Sequence, residues 1–120
     1  MINEAKFSFG KITFEGDFVI AEINNGIVFD VCDSKKLFEY CDKFYEGRSY
    51  NYISNRINSY SVNPVIYLSL DKYNVTAMAI VTTLALTKQN SFLEKHFAQL
   101  PLEVFENILE AKIWLESQKK

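Results

Sequence analysis

Strand-like and helix-like patterns alternate along most of this chain, and that alternation constrains the fold more than any other feature. Val75–Val81 has the composition of a strand buried inside a sheet, and Phe18–Ala21 is apolar on both faces. Strands that alternate with helices predict a mostly parallel sheet with helices packed against it. We predict an α/β fold in the order β-β-α-β-α-β-α-β-α, with a mixed sheet backed by helices, as a single domain over residues 1–120.

The beginning of the chain predicts the antiparallel part of that sheet. Apolar residues recur there at every second position. The apolar positions are odd-numbered around Phe7 but even-numbered around Phe14, so the pattern shifts by one residue between them. A slip of one residue would turn half of a strand inside out unless a bulge absorbs it, and Gly10 is the expected place for the bulge. A turn at Glu15–Asp17 then leads into the second strand of the hairpin.

Four helices are predicted after this hairpin. The clearest begins at Asp30 or at Asp33–Ser34, which are good N-cap residues, and ends at Gly47. Leu93 and Phe97 are four residues apart in the third helix, the spacing of neighbours on one helical face. The other helices are expected at Pro64–Leu70, Lys88–Phe97 and after Asn107, although Val65–Leu68 would also suit a strand. The other strands are expected at Tyr50–Ser54 and Leu102–Phe105.

Composition argues against several classes of function. The formal net charge is −2 and the basic residues are scattered, whereas a duplex-binding domain normally has a basic face. Two cysteines and one histidine are too few for a structural zinc site, and Cys41 falls on the apolar face of the first helix as a core residue. We therefore expect no nucleic acid, no metal and no cofactor.

The sequence has no pattern typical of a secretion signal or a membrane span. Residues 1–4 are polar and acidic where a signal peptide would be basic. The longest apolar run, Val75–Leu86, is shorter than the about 20 residues that a bilayer requires. Because two cysteines also fit a reducing compartment, we expect a cytoplasmic protein.

Catalytic patterns are missing from the sequence as well. It contains no glycine-rich phosphate loop and no Gly-x-Ser-x-Gly elbow. His96 is the single histidine and fits a surface position late in a helix, while helix capping explains Asp30 and Asp33. Since no nucleophile is paired with a base, we expect a protein that is not an enzyme.

The polar loop Asn55–Pro64 is the segment that best fits a binding site, because open α/β sheets place ligands between a strand end and a helix start. Arg56 offers a planar fork of donors for a carboxylate or phosphate, and the helix start at Asn63–Pro64 also favours an anion. The alternative is a loop held by its own Asn and Ser side chains, with Arg56 paired to a surface acid. The candidate partner-binding or anion-binding residues are Asn55, Arg56, Asn58, Ser59, Tyr60, Ser61 and Asn63.

The run Tyr52–Pro64, behind the opening Phe9–Ile12, resembles small stand-alone bacterial proteins of the STAS fold, which anti-sigma-factor antagonists share. The resemblance covers nearly the whole chain in element order, and it implies a mixed sheet backed by helices and a role in protein interaction. In the sporulation-type antagonists, a serine at the start of the helix after the third strand is phosphorylated. Ser59–Pro64 holds that place here without the antagonists' Asp-Ser-Ser-Gly pattern, and its candidate phosphoacceptors are Ser59 and Ser61.

These observations lead to two hypotheses about function. The first is a non-catalytic, regulatory protein-interaction module of the STAS type, with the Asn55–Pro64 loop and the following helix as its contact surface. Its protein partner is not identified by the sequence, and a homodimer stays open. The second is a carrier of a small apolar or anionic ligand, such as a lipid-like molecule, which the aromatic content suggests.

Overall fold

The computed structural model describes residues 3–118, apart from the side chain of Leu86. The strands are β1 (Glu4–Phe7), β2 (Gly10–Glu15), β3 (Phe18–Ile23), β4 (Val28–Phe29), β5 (Tyr50–Asn55), β6 (Ser61–Val62), β7 (Val75–Val81) and β8 (Leu102–Phe105). The α-helices are α1 (Val31–Tyr45), α2 (Ala85–Phe97) and α3 (Ile108–Ser117), and a 3-10 helix (Pro64–Lys72) lies between β6 and β7.

Six of these strands form one mixed sheet in the order β1-β2-β3-β5-β7-β8. The pairs β1–β2 and β2–β3 are antiparallel, while β3–β5, β5–β7 and β7–β8 are parallel. The expected α/β fold with a mixed, mostly parallel sheet and helices is therefore confirmed. A separate pair of short parallel strands, β4 and β6, was not predicted, because neither strand has enough residues to show a period.

The predicted bulge at Gly10 is wrong, because the chain turns there and makes two strands instead of one. Phe7 pairs with Gly10 across a tight turn, and that reversal accounts for the slip in the apolar period. Gly10 has φ +155°, and a Cβ atom at this position would lie 2.5 Å from the backbone oxygen of Glu22. Glycine is therefore required here by the close approach of β3.

Helix α1 begins and ends as the sequence predicts. Asp30 is the N-cap and forms a reciprocal capping box with Asp33. The helix ends just before Gly47, although Glu46 (φ 51°) as well as Gly47 (φ 87°) takes up the left-handed conformation. Cys41 is buried on the apolar face, as expected.

Helices cover both faces of the sheet and divide the interior into two cores. Phe38 of α1 and Tyr67 of the 3-10 helix pack in the core on one face. Leu115 of α3 packs against Ile53 in the core on the other face. The remaining helix, α2, contacts the 3-10 helix and β8. Within residues 3–118, no helix combines the length and the apolar character that crossing a membrane would take.

Candidate functional site

The loop after β5 is held against the segment at positions 22–30 by its own polar groups. This is the arrangement of the second interpretation of the loop, in which Asn and Ser side chains fix its shape. Asn63 also caps the 3-10 helix as predicted, since its side chain accepts a hydrogen bond from the Val65 amide at 3.1 Å. The contacts to the earlier segment are Asn55 Nδ2 to Glu22 Oε2 (3.0 Å), Asn58 Nδ2 to the Ile23 oxygen (2.9 Å), the Ser59 amide to Asn25 Oδ1 (2.9 Å) and Asn63 Nδ2 to Asp30 Oδ1 (2.9 Å).

All three side-chain nitrogens of Arg56 are already bonded within the protein in this conformation. Its side chain is buried, and both terminal nitrogens donate to Glu94 of α2, Nη1 to Oε2 at 2.6 Å and Nη2 to Oε1 at 2.6 Å. The third nitrogen of the side chain, Nε, donates to Ser54 Oγ at 3.0 Å. The partner of Arg56 is thus a buried acid, not the surface acid considered from the sequence.

Two tyrosines complete a cluster around this ion pair. The Tyr67 hydroxyl donates to Glu94 Oε1 at 2.5 Å, and the Tyr60 hydroxyl lies 2.9 Å from Ser54 Oγ. The guanidinium of Arg56 also lies 5.4 Å from the centre of the Tyr60 ring. We call Ser54, Arg56, Tyr60, Tyr67 and Glu94 the Arg56 cluster.

The electrostatics of the cluster keep its phenols neutral and its arginine charged. Burial raises the pKa of Tyr67 well above its usual value, and the neighbouring Glu94 charge adds to that rise. Burial likewise raises the pKa of Tyr60. Burial opposes the charge on Arg56, but hydrogen bonding to Glu94 keeps the pKa of Arg56 above its ordinary value. The cluster therefore presents a cation and one hydroxyl donor, that of Tyr67, to a single carboxylate.

Sequence reasoning missed Glu94 and Tyr67. Glu94 lies 38 residues from Arg56 along the chain, and an isolated acid in a helix is usually solvated. A signal was present in α2, where Ser91 and Glu94 are spaced to share one helical face. That face is the buried one, with Ser91 at 0% and Glu94 at 6% exposure.

Three apolar side chains of α2 consequently point outward. Phe92 is 53% exposed, Leu93 60% and Phe97 38%, so the expected Leu93–Phe97 pair does not face the core. Among the α2 side chains that the structure describes, which excludes Leu86, the buried ones are Ser91 and Glu94. Since a surface helix normally buries its apolar stripe, α2 has the reverse of the usual arrangement.

A groove of about 210 Å³ runs between the loop and α2 and reaches the Arg56 cluster. Arg56, Tyr60 and Glu94 line it, together with Pro64 on the loop side and Leu93 on the α2 side. A second groove, of about 420 Å³, lies at the carboxyl ends of β5 and β7. Open α/β sheets bind ligands at that edge.

The other residues singled out in the sequence are dispersed. Ser59 and Ser61 are exposed, and Ser61 lines the groove beside α2. His96 and Cys32 are exposed on different helices, whereas Cys41 is buried, and burial raises the pKa of its thiol. The structure therefore brings Arg56, Tyr60 and Ser61 to one groove and does not add His96 or the cysteines to it.

The chain matches no protein-family model, no curated protein and no solved structure. Its resemblance to the STAS fold accordingly stays a prediction from the sequence.

Proposed function

We propose that this chain is a non-catalytic, regulatory protein-interaction module of the STAS type. Its contact surface combines the Asn55–Pro64 loop and the 3-10 helix with the neighbouring α2. The observation that carries the proposal is the outward apolar face of α2 beside that loop. Apolar side chains on one exposed face are typical of a surface that another protein covers.

The exposed apolar side chains continue from α2 onto the 3-10 helix. Val65 and Leu68 are 48% and 51% exposed, and residues three apart share a face of a 3-10 helix. Pro64, next to Val65, lines the same groove as Leu93. Fully burying a Leu or Phe side chain is worth roughly 1.5–3 kcal/mol, so covering even part of this surface favours association.

The interior favours this proposal over a carrier of a small apolar ligand. The pocket between the sheet, α1 and the 3-10 helix is lined by Phe38, Tyr52 and Met78, reaches Arg56, and has a volume of about 10 Å³. That is room for about one water molecule. A lipid-like molecule would need the core side chains to move apart, at the cost of their close packing.

The phosphoacceptor role implied by the resemblance fits best at Ser61. This serine is exposed and lines the groove, so a phosphate there would add negative charge to the proposed contact surface. Ser59 is also exposed, but its amide is bonded to Asn25. A phosphate on Ser61 would thus regulate the contact through charge.

The test is a pull-down from the host cell with the variant Leu93→Lys. We expect this charge on the outward face of α2 to abolish capture of whatever protein the wild type retains, with little change in stability, because the side chain is on the surface. Leu109→Lys is the matched control, since Leu109 is a 69% exposed leucine on α3. The proposal fails if Leu93→Lys and Leu109→Lys retain the same proteins as the wild type.

Arg56 and Tyr60 are unsuitable positions for this test. Both belong to the largely buried Arg56 cluster, so their replacement would disturb the fold along with any contact surface. Leu93 avoids this difficulty because its side chain is mostly in solvent.

A further inference from the structure

We propose that the Arg56 end of β5 is a carboxylate-binding site, which Glu94 occupies from within the chain while α2 covers it. The ligand class is a carboxylate, from either a small organic acid or a peptide. This inference goes beyond the proposed protein contact. It concerns the inner, polar face of α2, whereas the contact concerns the outer, apolar face.

The receptor for the carboxylate is built without α2. Arg56 is anchored by its amide, which donates to the Val81 oxygen at 2.9 Å, and by Nε, which donates to Ser54. Ser54 is in turn bonded to Tyr60, and Tyr67 comes from the 3-10 helix. The donors to the carboxylate therefore belong to the loop after β5 and to the 3-10 helix, and Tyr67 is held by its packing in the core.

What α2 contributes to the cluster is one carboxylate. Both oxygens of Glu94 are engaged by the guanidinium in the bidentate geometry that arginine forms with carboxylates in general. Nothing in those contacts depends on the rest of the glutamate side chain. Another carboxylate that reached Arg56 could accept the same three hydrogen bonds, two from Arg56 and one from Tyr67.

The contacts between α2 and the rest of the protein are of a kind that allows the helix to move outward. Ser91, the other buried side chain described in α2, bonds to the Thr87 oxygen within the same helix at 2.7 Å. The ion pairs Lys88–Glu106 and Lys95–Glu103 are exposed, and exposed pairs contribute little. Among the α2 side chains that the structure describes, Glu94 is the buried one that bonds to other elements, since Ser91 bonds within the helix.

A path for the ligand is present. The groove of about 210 Å³ leads from solvent to Arg56 and Glu94, with Asn90 and Leu93 on the α2 side. An incoming carboxylate replaces Glu94 when α2 moves outward, and Glu94 then enters water. Because Glu94 is tethered, it competes at an effective concentration in the millimolar range, so removing it raises the affinity for a free carboxylate.

The first experiment measures this competition with acetate and propionate as probes. Glu94→Ala is titrated with each sodium salt against sodium chloride at equal ionic strength, and the midpoint of thermal unfolding is followed. We expect a rise of about 3–5 °C with either carboxylate, and no specific rise in Glu94→Ala/Arg56→Met. A response equal to that in chloride, or one that survives Arg56→Met, overturns the proposal.

The second experiment uses the wild type and does not depend on a variant that folds poorly. Amide hydrogen exchange is compared between α2 and the central strand β7, with and without propionate. We expect α2 to exchange faster than β7, and propionate to accelerate α2 selectively. If α2 exchanges as slowly as β7 and propionate leaves it unchanged, Glu94 is a fixed structural partner and the proposal is overturned.

A third arm separates the two sources of the carboxylate. A tripeptide with a free C-terminus and the same tripeptide with an amidated C-terminus replace propionate in the exchange measurement. Acceleration of α2 by the free form alone assigns the site to a peptide carboxylate. Acceleration by propionate and by neither peptide assigns it to a small acid. The protein contact is judged separately, by the pull-down with Leu93→Lys, and every carboxylate measurement uses a chain that keeps Leu93, because Leu93 lines the groove.

Discussion

At the scale of single residues, Arg56 and Glu94 show that a buried charge needs a partner of opposite charge. Arg56 is 7% exposed and Glu94 6%, and charges removed from water to that degree require partners and hydrogen bonds. Here each is the main partner of the other, while Ser54 accepts a hydrogen bond from Arg56 Nε and Tyr67 donates one to Glu94 Oε1. Removing one member leaves the other charged and enclosed, so the two residues act on stability as a unit.

The variant Glu94→Leu is expected to lower the free energy of unfolding by about 3–5 kcal/mol. The guanidinium of Arg56 would stay buried beside the end of β5, with no negative charge next to it. Urea denaturation of the wild type and the variant measures the loss. A second variant, Glu94→Leu/Arg56→Met, should recover most of it, because no uncompensated charge is left.

Arg48→Met is the control for this pair. Arg48 is an exposed arginine whose ion pair with Asp17 spans 3.9 Å, so its loss should cost at most about 1 kcal/mol. If Glu94→Leu costs no more than Arg48→Met, the Arg56 cluster is not the buried unit described above.

At the scale of elements, β2 and α2 depart from what their own residues suggest, and each departure is imposed by a neighbour. The first residue of β2 is a glycine because the backbone of β3 comes too close for a side chain. α2 turns its polar face inward because Glu94 on that face pairs with the buried Arg56. Local propensity is a weak influence when a tertiary contact of this strength opposes it.

Gly10→Ala is expected to lower the free energy of unfolding by about 2–4 kcal/mol. The added methyl group would lie 2.5 Å from the Glu22 oxygen, and the backbone conformation at φ +155° disfavours an L side chain. Urea denaturation measures the effect.

Gly16→Ala is the comparison for Gly10→Ala. Gly16 has φ +58°, and a Cβ atom there meets nothing within 4 Å, so only the left-handed conformation is penalised, by about 1–2 kcal/mol. Equal losses for the two variants would show that the close approach of β3 adds nothing to the cost.

At the scale of the whole molecule, several tyrosines are buried in the core on the α1 face of the sheet. Tyr45 is an example: its hydroxyl donates to the Gly16 oxygen at 2.8 Å, which ties α1 to the turn between β2 and β3. Burial, with smaller contributions from Cys41 and Asp17, raises the pKa of Tyr45 to about 12. Stability should therefore depend on pH on the alkaline side.

The pH dependence has a definite sign. Tyrosine in the unfolded chain titrates near about pH 10, so Tyr45 is protonated in both states below that pH and its contribution is complete. Between about pH 10 and 12 the unfolded chain has lost the proton and the folded protein retains it. The free energy of unfolding then falls by about 1.4 kcal/mol per pH unit for this group.

Tyr45→Phe tests this at the level of the whole fold. At pH 8 the variant should be less stable by about 1 kcal/mol, the value of the lost hydrogen bond. Urea denaturation at rising pH should show this difference shrinking above about pH 10 and vanishing near about pH 11. A difference that stays constant across this range would contradict the raised pKa of Tyr45.

The Asn55–Pro64 loop shows how much of the candidate site could be predicted from the sequence. Its position after β5, the cap at Asn63 and the internal use of its asparagines follow from turn and capping chemistry that acts over a few residues. The partner of Arg56 does not follow from it. Several acids could pair with a loop arginine, and only the packing of α2 selects Glu94.

The sequence by itself determined most of the longer strands, the helices and the mixed, mostly parallel character of the sheet. Those features depend on periods of two and 3.6 residues and on caps, which involve neighbours within about four positions. The tertiary structure alone decided the turn before Gly10, the pairing of β4 with β6, and the burial of Glu94 in place of Leu93. The last two depend on groups supplied by distant segments, and such contacts override local preference.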